Sequence, residues 1–260
     1  MKVFAATLIA VIALVGSCSP QSQDPPVYLH FNGVDQYVEV PSAPEFSPTD
    51  TGFTVSAWMM PAALTFPNSE GSGYVHWMGK GARGQQEWLF RMYNQTNTEK
   101  PPRPNRISFY VFNPDGGLGV GSYFQDSLQP NTWIQVTGIA DGQRTYMYKD
   151  GSMRRCDQYQ GPPSGGCTGH PEVIRPQAGD APLRIGTRDM RSYFQGGISG
   201  IRIWNRALSA SEVQALHDKG TVARSGLVAE FLLNEGTGSV AHDTAGHHDG
   251  KIVGAAWVTR

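Results

Sequence analysis

The sequence predicts an all-β fold, a sandwich or barrel of short antiparallel strands with one short helix. Three observations predict it. Short apolar or alternating runs recur along the chain, each bounded by Gly, Pro, Asn or Asp, the pattern of half-buried strands joined by turns. The 260 residues include 31 glycines and 18 prolines, while charged residues make up 17%, against about 25% in an average globular chain. Only one segment, beginning at Leu208, carries the start and stop signals of a helix. With 39% hydrophobic residues the chain can build a core, and its composition is not that of a disordered segment. A formal net charge of −1 without any long Lys/Arg run lacks the basic footprint of nucleic-acid binding, so no nucleic-acid partner is expected.

At the N-terminus, Met1 and Lys2 precede an apolar run from Val3 to Val15 broken only by Thr7, the proportions of a secretory leader rather than of a membrane span. Val15-Gly16-Ser17-Cys18 follows and resembles the bacterial lipobox; an ordinary signal peptide with an incidental cysteine is the alternative. The resemblance implies a lipoprotein signal peptide over residues 1–17, lipidation of Cys18 and a polar tether over residues 18–26. It places the protein outside the cytoplasm, at the bacterial outer membrane or cell surface, touching the membrane only through the lipid anchor. With no internal repeat, composition break or linker after Pro26, residues 27–260 read as a single domain. Cys156 and Cys167 remain as an even pair around a Gly/Pro/Ser-rich stretch and read as a disulfide of an exported protein.

Strands are expected, in order, at Val27–Phe31, Tyr37–Val40, Phe53–Met59, Tyr74–Met78, Trp88–Tyr93, Ile107–Phe112, Trp133–Ile139, Thr145–Tyr148, Leu183–Ile185, Ile198–Trp204, Leu227–Leu232 and Lys251–Val258. Asp141-Gly142 and Asp150-Gly151 lie between such runs and suit tight hairpins that need positive φ, so Trp133 to Arg154 reads as an antiparallel meander. Gly117-Leu118-Gly119-Val120-Gly121 reads as a glycine-rich turn. For the helix, Ser209 as N-cap with Glu212 three residues on forms a capping box, Leu208 and Val213 form a hydrophobic staple, and Gly220 supplies the stop.

Several segments together resemble one family. They are Leu29-His30-Phe31-Asn32-Gly33-Val34-Asp35-Gln36-Tyr37-Val38, Phe53 to Trp58, Asn131-Thr132-Trp133, Tyr148-Lys149-Asp150-Gly151, Leu183 to Thr187 and, most specifically, Phe194 through Gly196-Gly197-Ile198 and Trp204-Asn205-Arg206 to Ser209. They look like successive strands of the laminin-G-like, concanavalin A-like lectin and glucanase jelly rolls. The resemblance implies a two-sheet antiparallel jelly-roll β-sandwich with one short connecting helix. One departure is order: Gly226 to Phe231, continuing through Asn234 to Gly250, is similar to a segment that in this family often precedes the Phe-Asn-Gly strand, and here it comes last. Because domain ends lie close together, a permuted order keeps the same sandwich.

Such a family holds binding modules and enzymes, so the fold does not choose between them. A glycosidase needs two carboxylates at a set separation, and no strand carries them; Glu87, Glu230 and Glu235 are single acids. A face is more informative. With Phe90 and Met92 inward, Arg91 and Tyr93 point out; with Ile107, Phe109 and Val111 inward, Tyr110 points out; with Thr145 and Met147 inward, Tyr146 and Tyr148 point out. Arg and Tyr across neighbouring strands suit a sugar, the rings taking its apolar side and the polar tips its hydroxyls or carboxylates. Cross-strand aromatic packing is the alternative. A second surface is the region from Ala62 to Pro104, with Tyr74, His76, Trp77, Lys80, Arg83 and Trp88, of which the two tryptophans read as core. In a lyase, His76 or Tyr93 would abstract a proton while Arg91 neutralises a uronate carboxylate. The family resemblance further implies a structural Ca²⁺, for which Asn32, Asp35, Asp243 and Asp249 offer oxygen ligands; Asx-turn capping is the alternative. The function expected is a surface-tethered, lectin-like carbohydrate-binding module without catalysis, with a glycan or glycosylated partner. A polysaccharide lyase or glycoside hydrolase, or a protein-protein adhesion module, are the alternatives.

Overall fold

The structure is a computed structural model that describes residues 24–48, 51–112, 119–142, 144–156 and 178–260. Among these lie sixteen strands: β1 (Val27–Asn32), β2 (Tyr37–Val40), β3 (Phe53–Pro61), β4 (Tyr74–Ala82), β5 (Gln85–Tyr93), β6 (Ile107–Phe112), β7 (Gly119–Phe124), β8 (Ile134–Ala140), β9 (Thr145–Lys149), β10 (Ser152–Cys156), β11 (Leu183–Ile185), β12 (Gln195–Trp204), β13 (Leu227–Phe231), β14 (Val240–Ala241), β15 (Gly250–Val253) and β16 (Ala256–Thr259). One helix, α1 (Ala210–Lys219), lies between β12 and β13.

The strands form two antiparallel sheets. In the first the order is β10-β9-β8-β3-β12-β1-β16, with β13 also paired to β12; in the second it is β14-β15-β2-β11-β4-β5-β6-β7. One continuous core lies between them, built from inward residues such as Leu29, Phe31, Val55, Trp77, Trp88, Phe90, Phe109, Val136 and Ile203. This is the sandwich that the alternation of apolar and polar residues requires, each strand giving one set of side chains to the core.

The helix has the cap read from the sequence. Ser209 accepts from the Glu212 backbone N–H, the Glu212 carboxylate accepts from the Ser209 N–H, and Gly220 closes the helix in the left-handed region at φ 62°. Leu208, Val213 and Leu216 pack with Ile139, Tyr148 and Trp204. α1 therefore covers the outer face of the first sheet.

Two strand expectations change. Residues 119–124 form β7, a full antiparallel partner of β6, where a glycine-rich turn was expected. The glycines serve close packing: a Cβ at Gly121 would lie 2.5 Å from the Tyr110 ring and 2.4 Å from the Phe109 carbonyl. The run Lys251–Val258, expected as one strand, is broken at Gly254, φ 72°. Its halves join different sheets, β15 to β2 and β16 to β1.

Candidate functional site

The outward face of β4, β5 and β6 gathers the polar and aromatic residues that the core leaves out. Antiparallel register sets His76 opposite Arg91, Tyr74 opposite Tyr93 and Arg91 opposite Ser108. A bulge between His76 and Met78 turns both Trp77 and Met78 into the core. Arg91 is the hub. Its guanidinium lies 4.2 Å from the Tyr74 ring centroid, 5.2 Å from that of Tyr110 and 5.7 Å from that of Tyr93, cation–π distances. Its Nε donates to His76 Nε2 at 3.3 Å and its Nη1 to the Tyr93 hydroxyl oxygen at 3.0 Å. From the loop after β5, Arg103 Nη1 donates to the same Tyr93 oxygen at 3.0 Å. Arg106 lies 3.8 Å over the Tyr123 ring and donates to Gln125.

A second layer fixes this hub. His76 Nδ1 is 3.1 Å from Glu70 Oε1, and Ser192 donates to the same carboxylate oxygen at 2.8 Å. Because His76 Nε2 accepts from Arg91, the neutral imidazole carries its proton on Nδ1 toward Glu70. Burial lowers the His76 pKa to about 4, with the charges of Arg91 and Arg188 acting in the same direction. Burial alone would raise the Glu70 carboxyl, but hydrogen bonds and charge from His76, with help from Ser192 and Arg188, hold it at about 2. Burial also opposes ionisation of Tyr93, yet the two guanidiniums at its oxygen bring its pKa below the ordinary phenol value. At neutral pH the chain of contacts is carboxylate, neutral imidazole, guanidinium, phenol, guanidinium.

The sequence-expected binding residues divide. Arg91 and Tyr110 are partly exposed on this face, as is Tyr74. Tyr93 points the same way but is fully buried; it holds Arg91 and Arg103 from beneath and presents no surface to a ligand. His76 is also buried, 2% exposed, so the two groups considered for proton abstraction are both closed off. Tyr146 and Tyr148 lie on β9, in the other sheet. There Tyr148 packs beneath α1, and Tyr146 packs beside it while donating to Asp141 at 2.7 Å. The single row of five expected from alternation is therefore corrected: three residues belong to one outer face and two to the opposite one.

Other expectations fall elsewhere. Trp77 and Trp88 are core, and Lys80 is buried against Glu87 at 2.6 Å. Glu230 is tied to Arg202 and Arg224. Asn32 and Asp35 cap their own turn, Asn32 Oδ1 accepting from the Val34 N–H at 2.8 Å. Asp243 is buried and already accepts from the backbone N–H groups of Glu230, Ala245, Gly246 and His248. Asp249 accepts from the Asp243 N–H and meets His242. The two pairs also sit beyond opposite ends of the short β2–β15 ladder, which runs from Tyr37↔Val253 to Glu39↔Lys251. Donors converge where a cation would need acceptors, so these four residues do not fit one Ca²⁺ site. Cys18 and Cys167 lie outside the described residues, as does the Cys156 side chain.

Among the described residues, His and carboxylate atoms converge at Glu70, His76 and Asp189, within 4.8 Å of one another. Arg188 pairs with Asp189 and Arg191 lies 4.0 Å from Glu70, so this group is already neutralised by protein cations. Neither Glu70 nor Asp189 was anticipated: they come from loops far apart in sequence, and no spacing signal links them to His76. A small cavity of about 110 Å³ lined by Pro61, Leu128, Thr132, Ile134 and Lys149 falls below the roughly 300–1,000 Å³ of small-molecule sites.

The sequence profile of the concanavalin A-like lectin/glucanases superfamily, in its Laminin_G_3 form, matches residues 32–214. No curated protein matches the chain. Among solved structures, the chain is similar to a Bacteroides ovatus protein described as a candidate carbohydrate binding protein. They share 17% identity with a TM-score of 0.56, over 90% of this chain and 60% of that one; this chain thus spans about three fifths of its relative. It is also similar to full-length tailspike protein 2 of an Escherichia coli O157:H7 bacteriophage, at 11% identity and TM-score 0.50, over 82% of this chain and 30% of that one. A third similarity is to a Ruminococcus gnavus sialidase CBM40 bound to sialyllactose, at 14% identity and TM-score 0.45, over 73% and 98%.

Proposed function

Since the chain belongs to the concanavalin A-like lectin/glucanases superfamily, we propose that it is a carbohydrate-binding module whose binding face is the outer surface of β4, β5 and β6. One observation carries the reading: two partly exposed tyrosine rings, Tyr74 and Tyr110, flank a guanidinium held in place by buried partners. Rings oriented in this way can receive the apolar face of a pyranose, while the fixed guanidinium offers hydrogen-bond donors to its oxygens. Rigid support lowers the ordering cost of binding. The likeness in fold to the Bacteroides ovatus protein and its described role support the same reading.

The test is an oligosaccharide array followed by titration of the best ligand. Tyr74→Ala and Tyr110→Ala should each weaken binding about tenfold, corresponding to about 1.4 kcal/mol. Binding that ignores both substitutions would refute the proposed face. Export and tethering through Cys18 are part of the same proposal, supported by the Val15-Gly16-Ser17-Cys18 sequence. Metabolic fatty-acid labelling should be lost in Cys18→Ala.

A further inference from the structure

We infer that Arg91 and Arg103 form an oxyanion subsite, so that the glycan bound on this face is acidic, presenting a carboxylate or a sulfate ester to the two guanidiniums. The inference rests on the glycan-binding reading and narrows it to a ligand class.

Several arginines elsewhere among the described residues sit on carboxylates: Arg184 on Glu39 at 2.9 Å, Arg202 on Glu230 at 2.8 Å and Arg206 on Glu212 at 2.6 Å. Arg91, Arg103 and Arg106 differ. Among the described residues none of them has a carboxylate within ion-pair distance; their acceptors are an imidazole nitrogen, a phenol oxygen and an amide oxygen. A guanidinium kept largely from water with only neutral acceptors is incompletely compensated. Of the five N–H donors of Arg91, two are used by His76 and Tyr93, and the side chain still reaches the surface. Since Arg91 and Arg103 both donate to the Tyr93 oxygen, they stand side by side, close enough to share one small anion. The nearest acids are engaged elsewhere. Glu70 is bound by His76 and Ser192 and Asp189 by Arg188, while Glu99 is held by the Ser72 hydroxyl and acts on Arg103 only through space, beyond ion-pair distance. Planar two-point recognition of a carboxylate or sulfate by Arg is the chemistry left open here.

Titration calorimetry on the folded protein tests this with two ligand pairs: oligogalacturonate beside its carboxyl-reduced form, and a sulfated galactan oligosaccharide, which carries no carboxylate, beside its desulfated form. An acidic ligand should bind at least about tenfold more tightly than its neutral counterpart, with affinity falling as salt rises; the arm that responds identifies carboxylate or sulfate. Arg103 lies in a loop outside the strand ladders, so Arg103→Gln keeps the pairing and should abolish most of the acidic preference, read as a fall in the ratio of acidic to neutral affinity. Arg91→Lys, which keeps the charge and loses the fork, should reduce the same preference, with thermal melting confirming that both variants are folded. Equal affinity for acidic and neutral partners overturns the oxyanion subsite and leaves the binding face standing. Absence of binding by all four ligands overturns the oxyanion subsite, and the binding face then stands or falls on the oligosaccharide array.

Discussion

The two outer faces of the sandwich obey the same alternation and end in opposite uses. On the first sheet, Tyr148, Ile139 and Trp204 point away from the core and are sealed by Leu208, Val213 and Leu216 of the helical segment. On the second, Tyr74, Arg91 and Tyr110 also point away from the core, with no helix among the described residues laid over them, and the contacts are those of a cation among rings. One face became a second small core; the other keeps polar groups in fixed positions near solvent. An outward aromatic therefore carries no functional meaning until the element covering it is known.

The contrast can be broken most forcefully on the sealed face. Trp204→Ala removes a fully buried ring and its hydrogen bond to the Ala223 carbonyl. It should cost about 3–5 kcal/mol of stability, read as a lower denaturant midpoint, with glycan affinity intact wherever the protein is folded. Loss of binding in folded protein would mean the faces are not independent.

The next effect is pH-dependent and belongs to the polar face. His76 titrates at about 4 when folded, against an ordinary 6.5. The unfolded chain therefore binds the extra proton first, and stability falls as pH drops from about 6.5 through 4, by on the order of 3 kcal/mol. Glu70, folded pKa about 2 against 4.5, contributes stability above pH 4.5 that is lost on further acidification, so the two act in sequence with the same sign. The groups facing His76 are Glu70, Tyr74, Arg91, Arg188, Asp189 and Ser192. Equilibrium unfolding at several pH values should show the slope, and His76→Gln should flatten its segment between pH 4 and 6.5. An unchanged slope would remove His76 as the buried neutral link.

The smallest effect sharpens the comparison. Gly121→Ala places a methyl against the Tyr110 ring and should cost about 1–3 kcal/mol through overpacking. Because the displaced ring belongs to the proposed face, binding should weaken along with stability; for Trp204→Ala the two readouts separate.

Strand content was legible because alternation is local. Phe90 and Met92 inside fix Arg91 and Tyr93 outside, and the structure places them so. Which sheet a strand joins is not local. β9 pairs with β8 and β10 in the first sheet, so Tyr146 and Tyr148 share parity with Arg91 but not its surface. Burial of an outward residue is also nonlocal: Tyr93 is covered in part by Arg103, ten positions on, in an irregular loop. The Glu70–His76 contact depends on a bulge and on Ser192 from a distant segment. β7 was hidden because its glycines, which read as a turn, are small residues required beneath aromatic neighbours.

The break at Gly254 has one more effect. By sending the last strand back to the first sheet, it sets Arg260 beside Asp24, with the Arg260 N–H donating to the Pro26 carbonyl. Both ends of the described domain thus share one doorway on the rim of the first sheet. A tether or neighbouring module attached there would be fastened to the rim of the helix-covered sheet and would leave the arginine-bearing surface free to meet whatever approaches it.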